Sequence, residues 1–408
     1  MEFHTFTLPN GLRVIFKRTD RPVSHCGIVI NAGSRDEEKG QEGLAHYIEH
    51  CIFKGTAKRK TYHILSRLDN VGGEINAYTG KEDTWIYGSF LNEYLDRSLE
   101  LISDIVLNSA FPAKEIEKEK DVIIDEIGSY KDSPGEQIFD DFEELIYKNH
   151  QLGAPVLGTE ESVAKLSRTH ILDFIEKHYN AENMVLSVVG NYTEAKVKKL
   201  AEKYFSAVKH CNAKENQRIQ FKHYKPQQII EELDTHQIHY ICGGLGYSSA
   251  DPRRTTLHLM NNYLGGPAMN SMLNLEVREK HGIAYNIESS YQPYSDTGVF
   301  EIYLGTDQKM FEKSKKLVSK QLKKLREVKL GVNQLHTAKK QVLGQIALAQ
   351  ESGVGTMMGL GTSYLFYNRV DTLAEVFERI NKVTSEDVLE VANDILDETK
   401  FSSVTYMS

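Results

Sequence analysis

The chain is poor in three features, and each scarcity narrows what it can be. No run reaches the roughly 18 apolar residues of a membrane-spanning helix, so a membrane partner is not expected. Positive charge is not in excess: Lys+Arg is 49 against 57 Asp+Glu, a net charge of −8. That balance argues against nucleic acid as the main partner. Cysteine is scarce, four in 408 residues, at Cys26, Cys51, Cys211 and Cys242. None forms a Cys-x-x-Cys pair, so a zinc ribbon or a redox pair is not expected, and reduced, buried thiols are. The first residues, MEFHTFTLPNGLRVIF, lack the basic and then apolar pattern of a secretory leader, which points to the cytoplasm.

What remains is ordinary globular material, 40% hydrophobic and 26% charged, long enough for two or three domains. Phe6 to Phe16 alternates around Asn10-Gly11, as a hairpin does. Val23–Ala32 predicts a buried strand, Leu44–Phe53 and Thr61–Val71 helices, and Glu74–Phe90 two strands joined near Gly80-Lys81. Helices are expected at Leu95–Leu107, Lys114–Lys131, Gln137–Tyr147, Ser167–His178 and Glu194–Phe205, and a strand at Met184–Val189. The polar stretch Lys209–Gln227 reads as a linker, which divides the chain into domains 1–208 and 227–408 around a linker at 209–226.

The second half repeats the first. Ala164–Val189 lies on Asn381–Tyr406 without gaps, and Asn76–Val106 has a counterpart in Tyr285–Leu322. The common order predicts an α+β fold of two similar domains, each a largely antiparallel β-sheet packed against helices.

The strongest local signal is His46-Tyr47-Ile48-Glu49-His50. On a helix His46 and His50 share one face, and that spacing can grip one metal ion. Glu49 is close enough to touch a metal-bound water without being a ligand. This is the mirrored order of the zincin motif, H-x-x-E-H. A catalytic zinc takes three protein ligands, so one more is needed. Lys114–Lys131 offers Glu119 and Glu126, 126 − 119 = 7 residues apart on one face, with Val122, Ile123 and Ile127 as apolar neighbours. A carboxylate on the buried side of a helix needs a reason. Ligation by Glu126 would be one, with Glu119 orienting a histidine. Against this, His–His pairs at this spacing occur by chance, and acidic helices are most often solvated faces. Cys51 directly follows His50 and is expected on the other side of the helix, as a small buried residue.

At this point the residues resemble the pitrilysin/insulinase family of zinc metallopeptidases, in its short-chain branch similar to the mitochondrial processing peptidase. The likeness runs from the first hairpin to the last strand. His46-x-x-Glu49-His50 is followed by Glu126 after 126 − 50 = 76 positions, the family's spacing. Gly72-Gly73-Glu74-Ile75-Asn76-Ala77-Tyr78-Thr79 resembles its substrate strand, and Leu264-Gly265-Gly266 precedes Arg278-Glu279-Lys280-His281-Gly282-Ile283-Ala284-Tyr285, which resembles its C-terminal signature. The resemblance implies one zinc ion per chain held by His46, His50 and Glu126, with Glu49 as general base and acid and Glu119 behind the ligands. It implies that Asn76 and Ala77 hold a peptide as an added strand, and that Arg278 and Tyr285 bind substrate, Tyr285 also as an oxyanion donor. The second domain would carry no zinc ligands. Paired chains, a homodimer or a heterodimer with a related chain, would enclose a chamber open to unfolded peptides. The alternative is a catalytically silent subunit of a heterodimeric peptidase. Silent relatives usually lose a ligand or the Glu, and here all four positions are intact.

Overall fold

The computed structural model describes residues 3–210 and 218–407. The part of the expected linker at 211–217, and Cys211 with it, lies outside the described residues. In chain order the strands are β1 (His4–Thr7), β2 (Arg13–Arg18), β3 (Val23–Ile30), β4 (Glu74–Thr79), β5 (Thr84–Leu91), β6 (Met184–Gly190), β7 (Gln228–Glu232), β8 (Ile238–Leu245), β9 (Asn286–Pro293), β10 (Gly298–Thr306) and β11 (Ser402–Met407). The helices are α1 (Leu44–Ile52), α2 (Thr61–Asp69), α3 (Leu95–Asn108), α4 (Ala113–Lys131), α5 (Pro134–Ile146), α6 (Glu160–Lys165), α7 (Arg168–His178), α8 (Glu194–Phe205), α9 (Arg254–Gly265), α10 (Phe311–Glu327), α11 (Val332–Ala349), α12 (Gly353–Tyr367), α13 (Leu373–Lys382) and α14 (Ser385–Ile395).

Two sheets result, with strand orders β1-β2-β6-β3-β5-β4 and β7-β11-β8-β10-β9. The second repeats the last five positions of the first. Even the single parallel pair recurs, β2 with β6 and β7 with β11, while every other pair is antiparallel. The two gapless segments match as α7–β6 and α14–β11. Their caps match too: Ser167 accepts from the His170 N–H and Thr384 from the Asp387 N–H. The fold is thus α+β with a duplicated unit.

The compact units are not the two halves of the chain. One comprises 1–127, 155–218 and 348–372; the other comprises 128–154, 219–347 and 373–408. This differs from a division at 208 and 227, and the reason is burial. β3 is apolar on both faces: Cys26, Ile28 and Ile30 enter one core and Val29 another. Successive strand residues point to opposite faces, so a helix must cover each side. In the first unit α3 packs on one face, and α12, drawn from late in the chain, covers the other. Here Met357 and Leu365 meet Ile15, Val29, Trp85, Val185 and Val189. The contact is close because position 361 is glycine: a Cβ there would lie 2.4 Å from the Trp85 ring. The second sheet is covered in the same way by α5, drawn from early in the chain, through Ile138, Phe142 and Leu145. Among the described residues no helix is long and apolar enough to cross a membrane.

Candidate metal centre

The site is built in the first unit on α1. This helix begins at Gly43, whose φ of +90° suits glycine, and a Cβ there would sit 2.6 Å from the Leu157 carbonyl oxygen. Glycine offers no capping side chain. Glu37 supplies the cap from the preceding loop, its Oε2 accepting the Gly43 N–H (3.0 Å) and its Oε1 the Ala45 N–H (2.7 Å). Burial pushes the Glu37 carboxyl up, and the two backbone donors pull it back. The helix is pinned on its other side by the Tyr47 hydroxyl, which donates to the Ile116 carbonyl of α4 at 2.6 Å. Cys51 is fully buried in the core.

α4 brings the third group. Ile116, Glu119, Ile123 and Ile127 are its buried residues. At about 100° per residue the three isoleucines centre the buried stripe, and Glu119 and Glu126 fall on one edge of it. Val122, expected on the apolar face, lies further round and is 48% exposed. The edge position leaves Glu126 partly open, and gives the buried Glu119 polar partners in His50 and Lys54.

His46, His50 and Glu126 each offer one ligand atom, and these atoms lie within 4.8 Å of one another. Glu126 Oε2 stands 3.4 Å from His50 Nε2 and 3.8 Å from His46 Nε2. Zinc bonds of about 2.1 Å place tetrahedral ligand atoms roughly 3.4 Å apart, so the triangle has the size that zinc needs. The donor set, two imidazoles and a carboxylate, also suits that ion. Burial, and then His50, pushes the His46 imidazole down to about 4, so the ring is neutral at pH 7 and one nitrogen offers a lone pair. Burial raises the Glu49 carboxyl, Glu126 adds to the rise, and Thr79 of β4 and His50 oppose it.

Glu119 is 8% exposed and divides its two oxygens. Oε2 faces His50 Nδ1 at 3.2 Å and Oε1 faces Lys54 Nζ at 2.7 Å. Sequence reasoning passed over Lys54 and Glu37. The first shows as a stripe at four-residue spacing, His46, His50, Lys54. The second shows as an acidic residue shortly before a helix that lacks a capping side chain.

β4 is the edge of its sheet and packs beside α1. Asn76 is exposed and Ala77 buried, and the Ala77 N–H donates to Asn76 Oδ1 at 2.9 Å. A backbone donor bonded to a side chain instead of to β5 belongs to the open side of the strand. Arg278 and Tyr285 lie in the second unit. Arg278 sits in a π-helical turn, Asn274–Glu279, 4.0 Å from Glu279. Tyr285 is 62% exposed, and its hydroxyl donates to Asp307 at 3.2 Å. Among the described residues of that unit no group of three or more His, Cys, Asp or Glu stands ready to hold a metal.

The family described as Insulinase (Peptidase family M16) matches residues 13–160, and the family Peptidase M16 inactive domain matches residues 165–342. An uncharacterized zinc protease of Rickettsia bellii is 32% identical over 98% of this chain and 97% of its own length. The uncharacterized zinc protease YmxG of Bacillus subtilis is 31% identical over 96% and 95%. Among solved structures, a protease from Helicobacter pylori superposes with a TM-score of 0.93 at 23% identity, covering 100% of this chain and 99% of that one. A Pseudomonas fluorescens chain described as a peptidase M16 inactive domain gives 0.92 at 22% identity, covering 100% and 98%. These two likenesses are of fold, whereas the sequence relatives span both units and their order. The chain belongs to peptidase family M16.

Proposed function

We propose that the chain is a zinc-dependent endopeptidase acting on unfolded peptides or oligopeptides. The observation that carries this reading is the triangle of His46, His50 and Glu126 with the raised carboxyl of Glu49 on the same helix. The sequence relatives, which are named zinc proteases, support it. His46 and His50, through Nε2, and Glu126, through one carboxylate oxygen, hold one zinc ion per chain. That ion, when bound, supplies a Lewis acid for the scissile carbonyl and for water. Glu49 accepts the proton of the attacking water and delivers it to the leaving amine. Glu119 accepts the Nδ1 proton of His50 and so turns Nε2 toward Glu126.

The open edge of β4 receives the peptide as an added strand, with main-chain hydrogen bonds that ignore side-chain identity. In the free chain Asn76 Oδ1 occupies the Ala77 donor, so an incoming strand displaces it and then meets Asn76 as a grip. Exposed Arg278 and Tyr285 offer a guanidinium and a phenol to substrate. Paired chains, a homodimer or a heterodimer with a related chain, form the chamber that excludes folded proteins. Buried free thiols at Cys26, Cys51 and Cys242 fit a reducing compartment, and we place the protein in the cytoplasm.

The test is the metal content of the purified protein together with cleavage of a quenched peptide. One zinc per chain and cleavage abolished by a chelator are expected. Absence of both would favour a silent partner subunit.

A further inference from the structure

Lys54 lies just beyond the C-terminal end of α1 and continues in sequence the four-residue spacing of His46 and His50. Its backbone is held on both sides. The Lys54 N–H donates to the Cys51 carbonyl at 3.0 Å, and its own carbonyl accepts from Thr61 Oγ1 at 2.9 Å. The ammonium is therefore delivered from a fixed turn, unlike that of a free surface lysine. It reaches Glu119 Oε1 at 2.7 Å, on a carboxylate that is itself nearly buried.

The consequence runs through the other oxygen. An imidazole can ligate through Nε2 only when its proton sits on Nδ1. Nδ1–H is favoured where a carboxylate accepts from it, and Glu119 Oε2 is placed to do that for His50. A carboxylate with one oxygen engaged by a cation has its plane fixed. It then cannot turn its second oxygen away from the ring or swing toward the metal as a competing ligand. Lys54 also offsets charge where Glu49, Glu119 and Glu126 crowd together. His46 has no comparable support: its Nδ1 is buried without a hydrogen-bond partner among the described residues. The arrangement therefore bears on one of the two histidines.

We infer that Lys54 is a positioning residue of the metal centre. Held 2.7 Å from Glu119 Oε1, it fixes that carboxylate as the acceptor for His50 Nδ1–H and so tightens zinc binding. The inference rests on the zinc reading above and adds a residue to it.

The experiment measures zinc affinity by chelator competition, and the visible spectrum after cobalt substitution. It uses the full chain, Lys54→Met, Lys54→Arg, Glu119→Gln and the double variant Lys54→Met/Glu119→Gln. Lys54→Met should weaken zinc binding on the order of tenfold and shift the cobalt spectrum, as loss of an outer partner of a ligand does. Lys54→Arg, which keeps a cation on Oε1, should stay within about threefold. On the Glu119→Gln background, Lys54→Met should add less than about twofold, because the carboxylate it acts through is gone. Additive losses in the double variant, or wild-type affinity in Lys54→Met, would overturn the inference. Lys54→Gln takes the place of the Met variant if that one does not fold. A wild type without zinc would overturn the metallopeptidase reading itself, whereas zinc bound equally by wild type and Lys54→Met overturns only the role of Lys54.

Discussion

His50 Nδ1 and Glu119 Oε2 stand 3.2 Å apart across 69 residues of sequence. The contact joins two helices that the Tyr47–Ile116 hydrogen bond already holds together, so it is supported by packing as well as by charge. Glu119→Gln keeps the shape and weakens the acceptor. Zinc affinity should fall roughly 10- to 100-fold, with the fold intact by circular dichroism. Unchanged affinity would remove Glu119 from the account.

The Ala77 N–H, bonded to Asn76 Oδ1, belongs to the open side of β4. Proline is tolerated on an edge strand where the missing donor faces outward. Ala77→Pro should therefore keep zinc and melt near the wild-type temperature. It should still lose about tenfold in kcat/KM for a peptide, the worth of one main-chain hydrogen bond. Wild-type kcat/KM in this variant would contradict strand addition at β4.

Much of this layout is legible in the sequence. α8 falls at Glu194–Phe205 as the apolar spacing predicts, and β4 and β5 bracket the expected turn. The triangle of His46, His50 and Glu126 is legible because each of its members carries a local reason: helical spacing for His46 and His50, and a carboxylate on a half-apolar helix for Glu126. The exchange of α5 and α12 is not legible, because it depends on which distant sheet face needs cover. α12 hides further behind its glycines at 353, 355, 359 and 361, which disfavour an isolated helix and are explained only by what it packs on. Lys54 escapes for the same reason, since its partner is on another helix. Val122 marks the limit of spacing arguments, which find a face but not its edge.

His178, at the end of α7, is 2% exposed, and burial pushes it down to about 4. The unfolded chain takes up a proton near 6.5 and the folded chain does not. This contribution to stability is therefore complete above pH 6.5 and is lost as pH falls toward 4, up to about 3 kcal/mol. His178→Gln should reduce the loss of melting temperature between pH 6.5 and 4 relative to wild type. Parallel melting curves over that window would show that His178 does not carry the effect.

The central claim is that Glu49 moves the proton while His46, His50 and Glu126 hold the metal, and Glu49→Gln separates the two roles. The measurement is zinc per chain and the rate of quenched-peptide cleavage in this variant beside the wild type. The account predicts one zinc in both proteins and a rate lower by about 10² or more in the variant. Zinc retained with cleavage at the wild-type rate would contradict it.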